Sequence, residues 1–271
     1  MSSALSLDQL RDSITPDVFP TLDSVTVVES IDSTNAALLR ADPPPYGRFS
    51  VCTAMQQTAG RGRRGRQWVS APGSGVYLSI GWTLPELRRD LPTLALAVGV
   101  AARRGLISLG AQNVTLKWPN DLMVRNGKLG GILNELRSCA LGAYVVIGVG
   151  VNVVAPKGLG VDVLAQGGQP VRDLRNAGVT DPSLGATTRA LIREISRMLP
   201  VYTTEGLTPF WDEWLAADHL RNRAIEWSEG ERRLVGVARG IDADGLLLVE
   251  TGADHPVIRL NAGEVTVRPA A

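Results

Sequence analysis

The sequence is poor in the residues that build cross-links and metal cages. It holds two cysteines, Cys52 and Cys139, and two histidines among 271 residues. The cysteines lie far apart and form no C-x-x-C pair, so neither a disulfide framework nor a zinc site is indicated, and both read as small core residues of a reducing compartment. Charge of one sign is also missing: 28 Lys and Arg against 27 Asp and Glu give a formal charge of +1. That balance argues against a protein that binds nucleic acid over its whole surface. No stretch reads as the ~20 apolar residues of a membrane span. The opening MSSALSLDQLRDSITPDVF lacks the basic start and apolar run of a signal peptide. A cytoplasmic protein with no membrane partner is expected.

What is present is an ordinary globular composition, 44% hydrophobic and 20% charged, enough for a sizeable core. Residues 4–14 read as a short helix. SVTVVES (24–30), FSVCTAMQ (49–56), GVYLSIGW (75–82) and VTLKWPND (114–121, ended by Pro119) read as strands. Asp32 or Ser33 can cap a helix through TNAALLRA (34–41). Apolar spacing predicts a helix over 91–109, and further helices over 183–199 and 207–217. KLGGILNEL (128–136) and AYVVIGVGVNV (143–153) look like adjacent buried strands, and 155–182 reads mostly as loop. From about residue 222 five short strands, separated by turns such as DADG (242–245), suggest a small β-barrel, which puts a domain boundary near 221.

AGRGRRGRQWVS (59–70) sets Arg61, Arg63, Arg64 and Arg66 among Gly60, Gly62 and Gly65. GRGRRG matches the G-x-G-x-x-G of dinucleotide sites, but those need a helix to open at the glycines, and QWVSAPGSG opposes one. Arginines with Trp68 could grip a single nucleic-acid strand, yet only about 23 residues precede the first strand, too few for a helix-turn-helix module. Four like charges on a glycine-rich backbone suit a loop that closes on an anion: glycine lets backbone N–H groups approach phosphate oxygens and the guanidiniums supply forked donors. KWPND (117–121) puts a cation, an aromatic, an amide and a carboxylate at a strand end. GKLGGI (127–132) presents Lys128 before two glycines, IGVGVN (147–152) lets backbone approach a flat ligand at Gly148 and Gly150, and DSTN (32–35) offers hydroxyls.

DSTN, QTAGRGRRGRQW, KWPND, GKLGGIL and IGVGVNV follow one another over residues 32–153. In that order they resemble the motifs of the biotin protein ligases, and the resemblance extends to the C-terminal strands. It implies an α+β fold: a catalytic domain over 1–221, built on a mixed sheet with flanking helices, and a small SH3-like β-barrel over 222–271. The chain resembles the short, ligase-only kind, without an N-terminal DNA-binding domain, so no DNA partner is expected. The implied reaction joins the carboxylate of biotin to the α-phosphate of ATP, giving biotinyl-5′-AMP, and then passes biotin to a lysine of a biotin carboxyl carrier domain of acetyl-CoA carboxylase or another biotin-dependent carboxylase. The nearest alternative of similar fold is a lipoate or octanoate ligase or transferase, which would need no ureido-binding set; an octanoyl transferase would also want a nucleophilic cysteine within the motifs.

The resemblance also implies roles. Ser33, Thr34, Asn35 and Gln57 fall at the biotin head, with Gly60 and Arg61 lining that end through backbone groups and Gly131, Gly148 and Gly150 beside the ring and chain. Lys128 would hold the biotin carboxylate beside the α-phosphate. Arg63 and Arg66 would contact phosphates, with Arg63 reaching the biotin end as well. Trp68, Lys117, Asn120, Asp121 and Asn152 fall at the nucleotide end, with Trp68 also a candidate apolar wall for the biotin ring and chain. Lys128, Arg63, Asp121 and Lys117 are the implied catalytic set. Mg²⁺ would be carried mainly by the substrate phosphates, and Asp121 is left open between accepting the carrier lysine's proton and holding the metal. Two anions brought to ~4 Å repel by about 4 kcal/mol at an effective dielectric near 20, which fixed cations must offset. Monomer and homodimer both remain open.

Overall fold

The computed structural model describes residues 7–140, 142–165, 168–229, 232–252, 257–262 and 267–269. A seven-stranded sheet organises the larger part. Its strands are β1 (Leu22–Ile31), β2 (Phe49–Gln57), β3 (Gly75–Leu84), β4 (Val114–Lys117), β5 (Asp121–Val124), β6 (Gly127–Cys139) and β7 (Gly142–Asn152), in the spatial order β1-β2-β3-β7-β6-β5-β4. Only β1 and β2 run parallel; every other neighbouring pair is antiparallel. The parallel pair follows from the helix between them, α2 (Thr34–Arg40), which carries the chain back to the start of the sheet. Ser33 is its cap: its Oγ accepts from Ala36 N, while Asp32 accepts from Ser33 N and from Arg40.

One face of the sheet is packed by α3 (Leu94–Ser108) and α5 (Leu184–Glu205). Between them the backbones approach so closely that a Cβ on Gly105 would sit 3.0 Å from the Ala190 carbonyl oxygen. By length and composition residues 91–108 could cross a membrane, unlike the reading from sequence, but 61% of that stretch is buried within the fold, as expected of a core helix. The remaining helices are α1 (Leu7–Asp12), α4 (Leu159–Ala165) and α6 (Trp211–Ala217). The expected first helix appears as Leu7–Asp12, ending two residues before the expected 14, with residues 4–6 outside the described residues.

Three local expectations are corrected. The strand over 114–121 is instead a hairpin, β4 and β5, whose tip is residues 118–120; DLMV is too short to signal a strand without its partners. The loop region 155–182 contains α4. Helix α5 does not stop before Pro200 but runs to Glu205, because tertiary packing outweighs the lost backbone bond: Leu199 and Tyr202 are buried, and the Tyr202 hydroxyl donates to Asp90 O at 2.8 Å.

The C-terminal residues form a second, antiparallel sheet of β8 (Ala224–Glu229), β9 (Arg232–Ile241), β10 (Leu247–Glu250), β11 (Ile258–Leu260) and β12 (Val267–Pro269), in the order β11-β10-β9-β8-β12. Among the described residues the edge strands β11 and β12 are not paired with each other. Residues 256 and 264–266 of the two last expected strands lie outside the described residues.

After α6 the chain lies along β4, where His219 N donates to Leu116 O at 2.8 Å. Two titratable neighbours, half-buried Asp218 and buried His219, are desolvated here with opposite consequences. Burial pushes the Asp218 carboxyl up to about 6, and burial together with the Arg223 and Lys117 cations pulls His219 down to about 4. Asp218 therefore contributes stability that is full below the unfolded value near 4 and is lost as pH rises through about 6. His219 contributes stability that is full above the unfolded value near 6.5 and is lost as pH falls toward 4. Each amounts to roughly 3 kcal/mol, and over pH 4–6.5 the two oppose. Asp218→Asn is expected to make urea stability fall more steeply on acidification than in the parent protein, and His219→Gln to make it fall as pH rises. Parallel stability–pH curves for all three proteins would contradict this.

Candidate active site

A cavity of about 540 Å³ opens on the other face of the sheet, at the ends of β2, β3, β6 and β7. Its floor is backbone. On β7, Gly148 and Gly150 alternate toward the cavity, and Gly131 on β6 lies opposite Gly150. These positions cannot carry a Cβ without displacement: one on Gly148 would lie 2.4 Å from Asn35 Oδ1, and one on Gly150 would lie 2.8 Å from the Trp68 indole. The glycines thus leave room for a side-chain amide at one end and a ring at the other.

At the first end the wall is neutral and polar. Ser33, Thr34 and Asn35 are all buried at the start of α2. Thr34 donates to Gln57 Oε1 through its backbone N at 2.9 Å and its hydroxyl at 3.1 Å. Ser79 Oγ, on β3, is 2.7 Å from Thr34 Oγ1 and 2.5 Å from Asn35 Oδ1. The Asn35 amide nitrogen donates to Leu133 O and to Glu135 Oε2. Glu135 also pairs with Arg61 at 3.0 Å. The Arg61 side chain is therefore turned to Glu135 while its backbone lies in the loop that borders the cavity.

That loop is held by its own backbone. Gly62 N donates to Arg66 O at 2.7 Å, Trp68 N donates to Gly60 O at 2.9 Å, and Arg64 (φ 57°) and Gly65 (φ 70°) make the left-handed turn between. Gly60 does not line the cavity; it backs Trp68, whose carbonyl oxygen would be 2.7 Å from a Cβ there. Arg63, Arg64 and Arg66 do line it. Arg63 also donates to the Ala262 carbonyl, two residues past the end of β11. Burial, with the neighbouring Arg64 cation, lowers its pKa below the ordinary guanidinium value.

The second end is charged. Lys128 Nζ pairs with Asp121 Oδ1 at 2.5 Å and stands 5.4 Å from the centroid of the Trp68 ring. Buried Lys117 donates to Gln169 Oε1 at 3.0 Å, and Gln169 Nε2 donates to Asp121 Oδ2 at 2.8 Å. Burial alone would raise the Asp121 carboxyl, but the Lys128 and Lys117 ammoniums and the hydrogen bonds from Lys128 and Gln169 outweigh it and hold it below the usual carboxylate range. Asn120 and Asn152 line the same end and brace it: Asn120 Nδ2 donates to Ile132 O at 2.7 Å, and Asn152 Nδ2 to Arg172 O at 3.0 Å. Trp118 points away, its indole N–H donating to Gly245 O.

The fold thus brings every expected site residue except Gly60 to one cavity. Sequence reasoning missed Ser79, visible only as a polar residue in an otherwise buried strand, and Glu135. It also missed Gln169, which sits in a stretch without a motif. Neither cysteine lines the cavity; Cys52 is fully buried and its thiol is pushed up to about 11 by burial. Among the described residues no group of three His, Cys, Asp or Glu side chains could hold a metal.

Such a cavity can hold a ligand with a neutral donor–acceptor head at one end and anionic groups at the other. Residues 27–152 match the biotin/lipoate A/B protein ligase family, and residues 222–268 match the biotin protein ligase C-terminal domain. The chain is 38% identical over 251 residues to the bifunctional ligase/repressor BirA of Escherichia coli (strain K12), covering 91% of this chain and 75% of that one. It is 33% identical over 255 residues to the biotin--[acetyl-CoA-carboxylase] ligase of Mycobacterium tuberculosis, covering 88% and 87%. The solved biotin protein ligase from Aquifex aeolicus in complex with biotin and ATP shares the fold, with a TM-score of 0.77 at 23% identity over 92% of this chain and 100% of that chain.

Proposed function

The chain belongs to the biotin protein ligase family, and from that premise we propose that it activates biotin with ATP as biotinyl-5′-AMP and transfers biotin to a lysine of a biotin carboxyl carrier domain. The observation that carries this reading is the single cavity joining a neutral polar nook to a cationic wall. A ureido group needs donors and acceptors together, and Ser33, Thr34, Asn35 and Gln57 supply both. The carboxylate and the phosphates need cations, and Lys128, Lys117, Arg63 and Arg66 stand where the floor of glycines leads.

In this reading Lys128 draws the biotin carboxylate and the α-phosphate together and stabilises the charge that builds up as they join. Trp68 separates the vitamin end from the nucleotide end. Asp121 holds Lys128 directly and Lys117 through Gln169 rather than taking a proton: a carboxyl kept below its usual range is a weak base. In the resting protein its two oxygens are bonded to Lys128 and Gln169, and Mg²⁺ would be carried by the substrate phosphates, where it would offset their charge. We also read residues 1–221 and 222–271 as two domains and place the enzyme in the cytoplasm, with the carrier domain as its protein partner.

The test is intact mass. The protein, Mg·ATP, biotin and a biotin-carrier domain are incubated together, and the carrier is expected to gain one biotin on one lysine, with AMP released. Biotin should support ATP–pyrophosphate exchange and lipoate should not. A carrier of unchanged mass alongside lipoate-dependent exchange would replace this reading with the lipoate one.

A further inference from the structure

Gln169 belongs to none of the sequence motifs, yet it joins two charged residues of the cavity. Its carboxamide accepts from Lys117 on β4 with one end and donates to Asp121 on β5 with the other, at 3.0 and 2.8 Å. Asp121 bonds Lys128 on β6 through its second oxygen. The three strands' charged side chains are thus tied into one chain, Lys117–Gln169–Asp121–Lys128, in which the only neutral member comes from a different segment.

That segment is itself docked. Lys128 N donates to Pro170 O at 2.7 Å and Arg172 N donates to Lys128 O at 2.9 Å, so residues 170–172 run beside Lys128 as a short parallel bridge. Asn152 adds a bond to Arg172 O. The position of Gln169 is therefore set by the backbone of the residue whose ammonium its own partner holds.

We propose that Gln169 is a positioning residue for adenylate formation, holding Asp121 and Lys117 in place while Lys128 turns from Asp121 toward the substrates. This rests on the ligase reading given above. In the resting protein Lys128 is engaged by Asp121. To serve a carboxylate and a phosphate it must give up part of that bond, which leaves a largely screened carboxylate, 13% exposed, short of a donor, and such a group is costly. The Gln169 amide N–H covers the other oxygen throughout, and its carbonyl keeps Lys117 beside the site. A carboxamide is suited to this because it presents an acceptor to a cation and a donor to an anion without charge of its own.

The test uses the full-length protein, with biotin-dependent ATP–pyrophosphate exchange, single-turnover transfer from preformed biotinyl-5′-AMP, and thermal melting. Gln169→Ala should lower kcat for exchange about 10-fold, leave KM for biotin within twofold, and leave transfer from preformed adenylate within twofold. Gln169→Glu gives the sharper result. The charged groups that bear on the position are Lys117, Asp121, Lys128 and, through Asp121, Arg63. When the introduced carboxyl is protonated it has the donor and acceptor of the original amide; when ionised it gains an ion pair with Lys117, which lowers its pKa, but it also stands at hydrogen-bond distance from Asp121, and two carboxyls that close share one proton, which raises it. The exchange rate of Gln169→Glu relative to wild type should therefore climb at least fivefold as pH falls from 8.5 to 6. Its melting temperature, measured without substrate, should lie below wild type at pH 8.5 and converge on it at pH 6. A flat ratio and a constant melting difference across that range would overturn the proposal, whatever Gln169→Ala does. Absence of exchange in the wild-type protein would instead overturn the ligase reading, and the melting comparison would still decide whether Gln169 bridges the charged pair.

Discussion

Lys128→Ala should slow biotinyl-adenylate formation on the order of 100-fold, and by no less than about 10-fold, in pyrophosphate exchange. Losing one fixed donor aimed at developing charge costs roughly 10²–10³ in rate in well-studied sites, and here the donor is a full cation. Its effect should fall on the first step more than on biotin affinity, because the neutral nook of Thr34, Gln57 and Asn35 binds at the other end of the cavity. The substitution also leaves the largely screened Asp121 without its ammonium partner at 2.5 Å, so a drop in melting temperature should accompany the loss of rate. Lys128→Arg keeps the charge but meets a tight site: a Cβ on Gly131 would already stand 3.1 Å from the lysine Nζ, and the Trp68 ring lies across from it. Restored melting with poor activity is expected for that variant. Unchanged exchange in Lys128→Ala would remove the residue from the chemistry.

The second large effect concerns retention rather than formation. Arg63→Gly should leave biotin bound and the adenylate made, but release the adenylate on the order of 10- to 100-fold faster, so that lysines of bystander proteins become labelled. The estimate follows from losing one charge-assisted hydrogen-bonded contact, about 1.5–3 kcal/mol. Arg63 is partly desolvated and stands among like charges, which lowers its pKa; an arriving phosphate relieves both penalties at once and so is held firmly. Quench-flow measurement of adenylate release and a bystander-labelling assay test the point together. Tight retention in the variant would count against the arginine loop as a clamp.

Legibility followed chemistry more than geometry. The arginine loop, KWPND and GKLGG could be read because each needs unusual residues close together in sequence. The purpose of Gly148 and Gly150 was readable only in outline, as close backbone approach, and the structure supplies the cause: Asn35 from α2 and the ring of Trp68 occupy the space. Ser79 and Gln169 were not legible. Ser79 lies on a strand buried on every residue and looks like any small core position, while Gln169 follows a short helix that the Gly- and Pro-rich composition of its region hid. The hairpin of β4 and β5 escaped because four residues give no period to read, and its existence depends on β6 as a third partner. In α5 the local signal of Pro200 pointed to an end, and distant contacts of Tyr202 overrode it.

The bond from Arg63 to the Ala262 carbonyl spans 199 positions of chain. At about 5–20 residues per second a ribosome needs roughly 10–40 s to travel between them. In the later part of that interval, once β7 has been made, a growing chain can already possess the seven-stranded sheet and the glycine floor while the Arg63 side chain still lacks its carbonyl partner. Birth order therefore makes the loop's anchorage among the last features acquired.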